Sequence, residues 1–300
     1  MNKELIEKVI ASLNDDSSSD SEVYPYFPDS SYKPIKVSNE GFHSISGSCK
    51  GKVCFIDGGN CELLKSANSS LQLIRVYYTI YSENKRIKSK KYEFFALVSA
   101  ERKEGQVVYN ARFFDDVLSI GSMNIDPFDE KLRTGVHQAK VTSVGNVIRR
   151  FSELKAASLA VDELSDGDVV VVDGSLQASF SGEKELLDGL YSKASAKNVV
   201  VSGLSKTTSL LATNGVSFVN VLSKIAPAGS WYYYPVASIN NPEHRAEIYF
   251  TRLHEKSKYV FRFEVHKGDI SNVLPMLISN SKDPVFLGYP YGLIEADRFA

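Results

Sequence analysis

Cysteine, net charge and long apolar runs are scarce in this sequence, and each scarcity removes a class of protein. Only Cys49, Cys54 and Cys61 occur in 300 residues. They form no C-x-x-C pair and no histidine stands at zinc spacing, so a structural zinc site is not expected. An odd number of thiols in a chain this long fits a reducing cytosol, not a disulfide scaffold. Lys+Arg number 35 against 36 Asp+Glu, a formal net charge of -1. The chain is therefore no polybasic nucleic-acid coat, and any DNA contact has to come from a local patch. The longest apolar stretches are strand-length, below the roughly 20 residues a membrane helix needs. The opening MNKELIEKVIASL carries acidic side chains and no signal-peptide core, so a cytoplasmic protein with no membrane partner is expected. GxSxG, HExxH and GxGxxG are absent and the five histidines (43, 137, 244, 254, 266) are scattered, which leaves hydrolase triads, zincins and dinucleotide binding without support.

What is present is an ordinary globular composition, 43% hydrophobic and 24% charged, in a chain long enough to bury a core without metal or disulfide staples. Residues 3–13 place Leu5, Ile6, Val9, Ile10 and Leu13 at helical spacing. NDDSSSDSE at 14–22 reads as a mobile loop, and Pro25, Pro28 and Pro34 keep the following arm extended. That arm is expected to pack on something other than its sequence neighbours, a second subunit being one candidate. KVCFID at 52–57, LQLIRVYYTIY at 71–81, and runs at 91–99 and 105–113 predict an antiparallel meander. A helix over 147–164 follows, then DVVVVD at 168–173, whose continuous apolar run suits a buried parallel strand. Helix at 183–194, strand at 198–202, a turn into helix over 203–211, strands at 231–238, 246–253 and 259–265, and helices at 270–279 and 291–300 complete the reading. No internal repeat is evident. The fold class is α/β with a mixed sheet: an N-terminal helix and arm over 1–40, and one domain over 41–300 with a β-hairpin insertion.

Two strands end alike. FIDGG at 55–59 and VVDGS at 171–175 each put an aspartate after an apolar run and a glycine after the aspartate. A carboxylate at the end of a buried strand is costly unless paired or metal-bound. Asp57 and Asp173 on adjacent strands would repel, and a divalent cation with a preference for oxygen, Mg²⁺ or Mn²⁺, relieves that. The competing reading is that each Asp-Gly is a simple turn. Glu153 is a third acid, flanked by Phe151 and Leu154, and otherwise a solvated glutamate. Tyr289, Glu295 and Asp297 follow a Gly-Tyr-Pro turn, with an amphipathic terminal helix as the plain alternative. Lys85, Arg86, Lys88, Lys90 and Lys91, with Tyr77, Tyr78, Tyr81 and Tyr92 nearby, suit phosphate contact and base stacking, or else form a solvated hairpin tip. Arg149, Arg150 and Lys206 are further phosphate candidates. Lys206 lies in GLSKTT at 203–208, which has a faint P-loop look but lacks the GxxxxGK frame.

In their order and spacing, FIDGG at 55–59, the helix with Arg149, Arg150 and Glu153 leading to VVVDGSL at 170–176, GLSKTT, and GYPYGLIEAD at 288–297 resemble the NurA family of DNA-end-processing nucleases. The resemblance implies an RNase H-like core with a mixed central sheet flanked by helices. It implies a Mn²⁺- or Mg²⁺-dependent deoxyribonuclease, with two ions, acting on single strands and duplex ends. The implied activities are 5′-end resection as an exonuclease and single-strand endonuclease cleavage, in double-strand break repair and homologous recombination. It also implies a homodimer and a HerA-type hexameric ATPase partner. Asp57 and Asp173 match the family's strand-end metal ligands, Glu153 the acid on the preceding helix, and Tyr289 the tyrosine of the terminal motif. Asp297 stands where the family has histidine; it can bind a cation but cannot serve as a neutral-pH imidazole. The chain stops three residues later, where relatives run on. Two alternatives stay open: a catalytically weakened DNA-binding adaptor subunit of the ATPase motor, motivated by Asp297, and a metal phosphohydrolase acting on small molecules.

Overall fold

A computed structural model describes residues 2–14, 22–47 and 50–300, with backbone alone at 11–14. Most of the expected loop at 14–22, and Cys49, lie outside the described residues. In chain order the elements are α1 (Lys3–Asn14), β1 (Tyr32–Pro34), β2 (Phe42–Ser44), β3 (Lys52–Lys65), β4 (Ser69–Ser82), β5 (Lys85–Lys103), β6 (Gln106–Phe114) and β7 (Met123–Ile125). Then come α2 (Val144–Ala160), β8 (Val169–Asp173), α3 (Glu183–Ala196), β9 (Val200–Ser205), α4 (Phe218–Ile225), β10 (Trp231–Tyr233), β11 (Ala237–Ile239), β12 (Glu247–Arg252), β13 (Phe261–His266), α5 (Ile270–Ser279) and α6 (Tyr291–Phe299).

Among the described residues eleven strands form one mixed sheet in the order β2-β10-β12-β13-β9-β8-β3-β4-β5-β6-β7. Its centre is parallel, β3 beside β8 and β8 beside β9; all other pairs are antiparallel. The continuous valines of β8 are explained by this position, because helices cover both faces. Cys54, Ile56, Val170 and Val172 pack with residues of α2 and α3 on one face. Val53, Phe55, Val169 and Val171 pack with residues of α5 and α6 on the other.

Four expectations need correction. KVCFID does not stop at Gly58-Gly59: β3 runs on to Lys65, held by β4 along its length. The basic run at 85–91 is no hairpin tip but the start of β5, the turn falling at Glu83–Asn84. Residues 203–211 do not turn into a helix. The β9 ladder continues to Ser205 opposite Arg262 of β13, and Thr207-Thr208-Ser209 are poor helix formers; the helix comes later, as α4. The strand expected at 231–238 is divided into β10 and β11 at Pro235, which has no N–H to donate to a ladder.

The N-terminal arm packs on its own chain. Tyr32 to Pro34 pair with Ile239 to Ala237, Phe42 to Ser44 with Tyr233 to Trp231, and Tyr32 lies in a core with Trp231, Tyr233 and Phe250. Partners some two hundred residues away match the expectation of non-neighbour packing: β1 forms a two-stranded sheet of its own with β11, and β2, just after the arm, is an edge strand of the large sheet. α1 stands apart from both sheets, with Leu5, Val9 and Ile10 exposed.

A candidate active site at the end of the parallel strands

Asp57 and Asp173 are brought together by register. Parallel pairing of β3 with β8 runs from Val53↔Val169 to Ile56↔Val172, so the next position on each strand is the aspartate. Neighbouring strands lie about 4.8 Å apart. Side-chain alternation puts both carboxylates on the α5–α6 face. The two following glycines act differently. Gly174 turns the chain with φ +99, which only glycine adopts without strain. Gly58 stays in the strand, paired with Val76 of β4, and is glycine because a Cβ there would come within 2.8 Å of Glu153 Cγ and Oε1.

One cation joins the cluster. Asp173 of β8 is paired with Leu204 of β9, and Lys206 follows just beyond. Its Nζ lies 2.8 Å from Asp173 Oδ2, 3.5 Å from Asp297 Oδ2 and 4.0 Å from Asp57 Oδ2. Burial works against this ammonium, but the carboxylates outweigh burial and hold its pKa above the ordinary lysine value. Asp57 is 4% exposed. Burial, then the charges of Asp173 and Glu153, push its carboxyl up to about 8, against the pull of the Gly58 amide and Lys206. Its Oδ1 accepts from the Gly58 N–H at 2.7 Å. The Tyr289 ring lies under Lys206, 5.7 Å from Nζ to centroid. The Tyr289 hydroxyl is buried with no hydrogen-bond partner among the described residues. Burial, with Asp173, Asp57 and Asp297 adding to it, raises its pKa far above the usual phenol range. Tyr289 and Asp297 thus lie at one site, although an amphipathic terminal helix was the plainer reading of their spacing. Glu295 does not join them: it accepts from Tyr77, Tyr81 and Arg86 at 2.7, 2.5 and 2.8 Å.

Glu153 approaches from α2, on the opposite face. Arg149 and Arg150 donate to it at 2.6 and 3.4 Å. Burial raises its carboxyl against the pull of Arg150 and Arg149, and Asp173 adds to the rise. Arg149 also donates to the Gly58 carbonyl at 3.1 Å. Arg150, considered a phosphate ligand from the sequence, is 8% exposed. Its guanidinium is occupied by Glu183 at 2.7 Å, Glu153, and the Ser175 carbonyl at 2.6 Å. It acts inside the chain, as a clamp on the loop after Asp173.

The far side of that loop is clamped by a residue the sequence did not flag. Glu264 of β13 is fully buried. It accepts from the Leu176 N–H at 2.7 Å and the Ser175 hydroxyl at 3.1 Å, and pairs with Arg262 at 2.6 Å and His244 at 3.0 Å. His244 reaches Tyr32 of the arm at 2.8 Å. Burial would raise the Glu264 carboxyl, but Arg262 and His244 outweigh it and hold it down at about 2. The signal lay in FRFEVH at 261–266, where charged residues alternate with apolar ones as on a solvated face; a helix-covered sheet buries both faces.

Around Lys206 the donor set is hard carboxylate oxygen, which Mg²⁺ and Mn²⁺ prefer, and an orphaned phenol hydroxyl is buried close enough to feel the same three aspartates. A positive charge already sits where these side chains converge, so the residues fit a cation. Among the described residues, no three Asp, Glu, His or Cys side chains close around one point as a ready cage. Lys206 stands between the aspartates, and Glu153 is turned to its arginines. Of the basic run, Arg86 pairs with Glu295, Lys88 with Glu163 at 2.6 Å, Lys91 with Glu93 at 3.5 Å, and Lys90 lies over Tyr92. Tyr77, Tyr78, Tyr81 and Tyr92 are buried and offer no ring to a base.

A NurA domain model matches residues 51–300. The crystal structure of the NurA nuclease from Sulfolobus solfataricus superposes with a TM-score of 0.52 at 15% identity, covering 99% of this chain and 91% of that one. A second NurA crystal structure gives 0.51 at 9% identity, over 98% and 92%. The catalytic domain of human endonuclease V is more distant, at 0.41 and 12% identity, over 83% and 80%. No curated protein is a significant sequence match. The likeness to the NurA structures shows a shared fold: the α/β architecture with a mixed sheet expected from the strand and helix order, and the RNase H-like core that the family resemblance implied.

Proposed function

The chain belongs to the NurA family of nucleases, and on that premise we propose that it is a divalent-metal-dependent deoxyribonuclease acting on single strands and duplex ends. The observation that carries the reading is the convergence of Asp57, Asp173 and Asp297 on one ammonium, beside a buried and unpartnered Tyr289 hydroxyl. Asp57 and Asp173 would hold the Mn²⁺ or Mg²⁺, with Asp297 at the rim and Glu153 behind Gly58 as the reserve acid. When bound, one or two such ions activate water and neutralise charge on the departing oxygen.

The chain's own groups supply the rest. Lys206, on a flexible stem among acids, is placed to move onto a phosphate oxygen of the substrate when the aspartates take another cation, where it neutralises developing charge. Tyr289 keeps its hydroxyl proton far into the alkaline range, so it serves as a donor to a phosphate or a water and not as a base. Arg149, 33% exposed at its side chain, holds Glu153 and the Gly58 carbonyl in place. Arg150 and Glu264 fix the loop after Asp173 from its two sides.

The test is incubation of the purified protein with single-stranded and blunt duplex DNA in Mn²⁺ or in EDTA, beside Asp57→Ala and Asp173→Ala. Scission is expected in Mn²⁺ only, with each variant reduced a hundredfold or more. Cleavage that persists in EDTA or survives both substitutions would falsify the assignment. Strand polarity is read in the same assay from end-labelled substrates, 5′-end resection being the expected direction. A homodimer and a HerA-type hexameric ATPase partner complete the proposal, checked by sedimentation and by stimulation of the ATPase. Asp297, in the place of the family's histidine, favours a second reading, a DNA-holding adaptor of that motor. ATPase stimulation and DNA binding without scission would select it.

A further inference from the structure

A cleft of about 810 Å³ lies on the other side of α6 from Lys206, between the β4–β5 turn and the segment after α5. Tyr291, Ile294, Glu295 and Arg298 line it, at the i, i+3, i+4, i+7 spacing of one helical face. Asp297, about 200° round the helix from Glu295, faces Lys206 instead. One helix therefore separates cleft and site.

The lining has two chemistries. Phe286, Tyr291 and Phe299 are 44%, 40% and 46% exposed, an unusual concentration of open rings around one depression. Lys85, Lys282 and Arg298 line the same space, and among the described residues none of them has a carboxylate within 4.0 Å. The two acids there are already engaged. Glu295 accepts from Arg86 and two tyrosines, and Asp283 accepts from the Val285 and Phe286 N–H groups of its own turn. Open rings beside unpaired cations are the combination that holds a nucleic-acid strand whose bases are free to stack: the faces take bases whatever their sequence and the cations take phosphates. A duplex, with its bases already stacked, gains only the cation half.

We propose that this cleft binds single-stranded DNA, holding the strand beside the catalytic site one helix away. The inference deepens the nuclease reading and rests on it for the choice of DNA. It also moves the expected DNA contact: Lys85 and Arg86 keep a part, but the rings come from Phe286, Tyr291 and Phe299 and not from the tyrosines of β4 and β5.

The test is fluorescence anisotropy with a labelled oligothymidylate in EDTA, so that binding is read without cleavage. Phe286→Ala/Tyr291→Ala is expected to weaken single-strand binding tenfold or more while changing duplex binding less than threefold. Lys282→Glu/Arg298→Glu is expected to reduce the slope of log affinity against log salt by about 1.4, two phosphate contacts at ~0.7 each. All four side chains are exposed, and thermal melts confirm that the variants fold. An unchanged single-strand affinity, or an equal loss for strand and duplex, overturns the proposal. Turnover of a p-nitrophenyl ester of thymidine 5′-phosphate in Mn²⁺, too small to span helix and cleft, separates the two readings. Its retention in the ring variant with strand binding lost supports the cleft, whereas its absence in the unaltered protein, with strand binding intact, counts against the nuclease and not the cleft.

Discussion

Asp57 has an ordinary carboxyl value of 3.8 when exposed and one pushed up to about 8 in the fold. Between those values the folded chain keeps a proton that the unfolded chain has released. Stability of the metal-free protein is therefore expected to fall as pH rises from about 4 to about 8, by up to ~1.4 kcal/mol per pH unit for this proton, and to level off above. This is the reverse of the usual ion-paired aspartate. Asp57→Asn removes the titration, so denaturant melts in EDTA at pH 5 and pH 8 should differ less for the variant than for the parent; an equal pH dependence would remove Asp57 as its source. Lys206 gives a companion prediction. Lys206→Met leaves three carboxylates without their shared cation, and in EDTA at pH 8 it should cost about 1–2 kcal/mol, less than a fully buried pair because the side chain is 37% exposed. A divalent ion replaces the lost charge, so Mn²⁺ should recover most of the deficit. The same loss with and without Mn²⁺ would detach these aspartates from metal binding.

At the scale of elements, the site depends on how closely α6 approaches the sheet. A Cβ on Gly292 would lie 2.0 Å from Phe55 Cδ2 in β3, a ring with no exposed surface. Gly292→Ala must push α6 off β3, carrying Asp297 away from Lys206. It is expected to cost about 1–3 kcal/mol and to lower strand scission more than tenfold at temperatures where the protein is still folded. Activity that tracks only the folded fraction would show that the position of α6 is not critical. This closeness explains what could be read in advance. β8 and α2 were legible because a valine run and a helical period are local signals, and the Asp57–Asp173 juxtaposition followed from two similar strand ends. The reasons behind the glycines were not legible. Gly58 and Gly292 look like turn and helix-start residues, yet each is there for a side chain from elsewhere, Glu153 and Phe55. Glu264 escaped for the same reason, its partners Leu176, Arg262 and His244 being joined only by the folded sheet.

Over the whole molecule, the formal charge of -1 means that DNA affinity cannot come from the overall field and has to reside in patches such as the α6 cleft. The same separation of roles applies to assembly. Residues 23–45 pair and pack within their own chain, with Tyr32, Phe42 and Trp231 in one region. α1 is the opposite, an amphipathic helix whose Leu5, Val9 and Ile10 are exposed. A helix of 12 residues is marginal alone in water and normally gains its stability from burying such a face. Removing residues 1–14 should therefore leave the melting temperature of the remaining chain within a few degrees of the parent while weakening self-association at least tenfold, as read by sedimentation velocity over a dilution series. If the truncated chain melts far lower, α1 packs on its own protomer. If it self-associates as strongly as the parent, any self-contact lies on the sheet-bearing body and not on the exposed stripe of α1, and a loss of ATPase stimulation by the truncated chain would instead assign that stripe to the proposed ATPase partner.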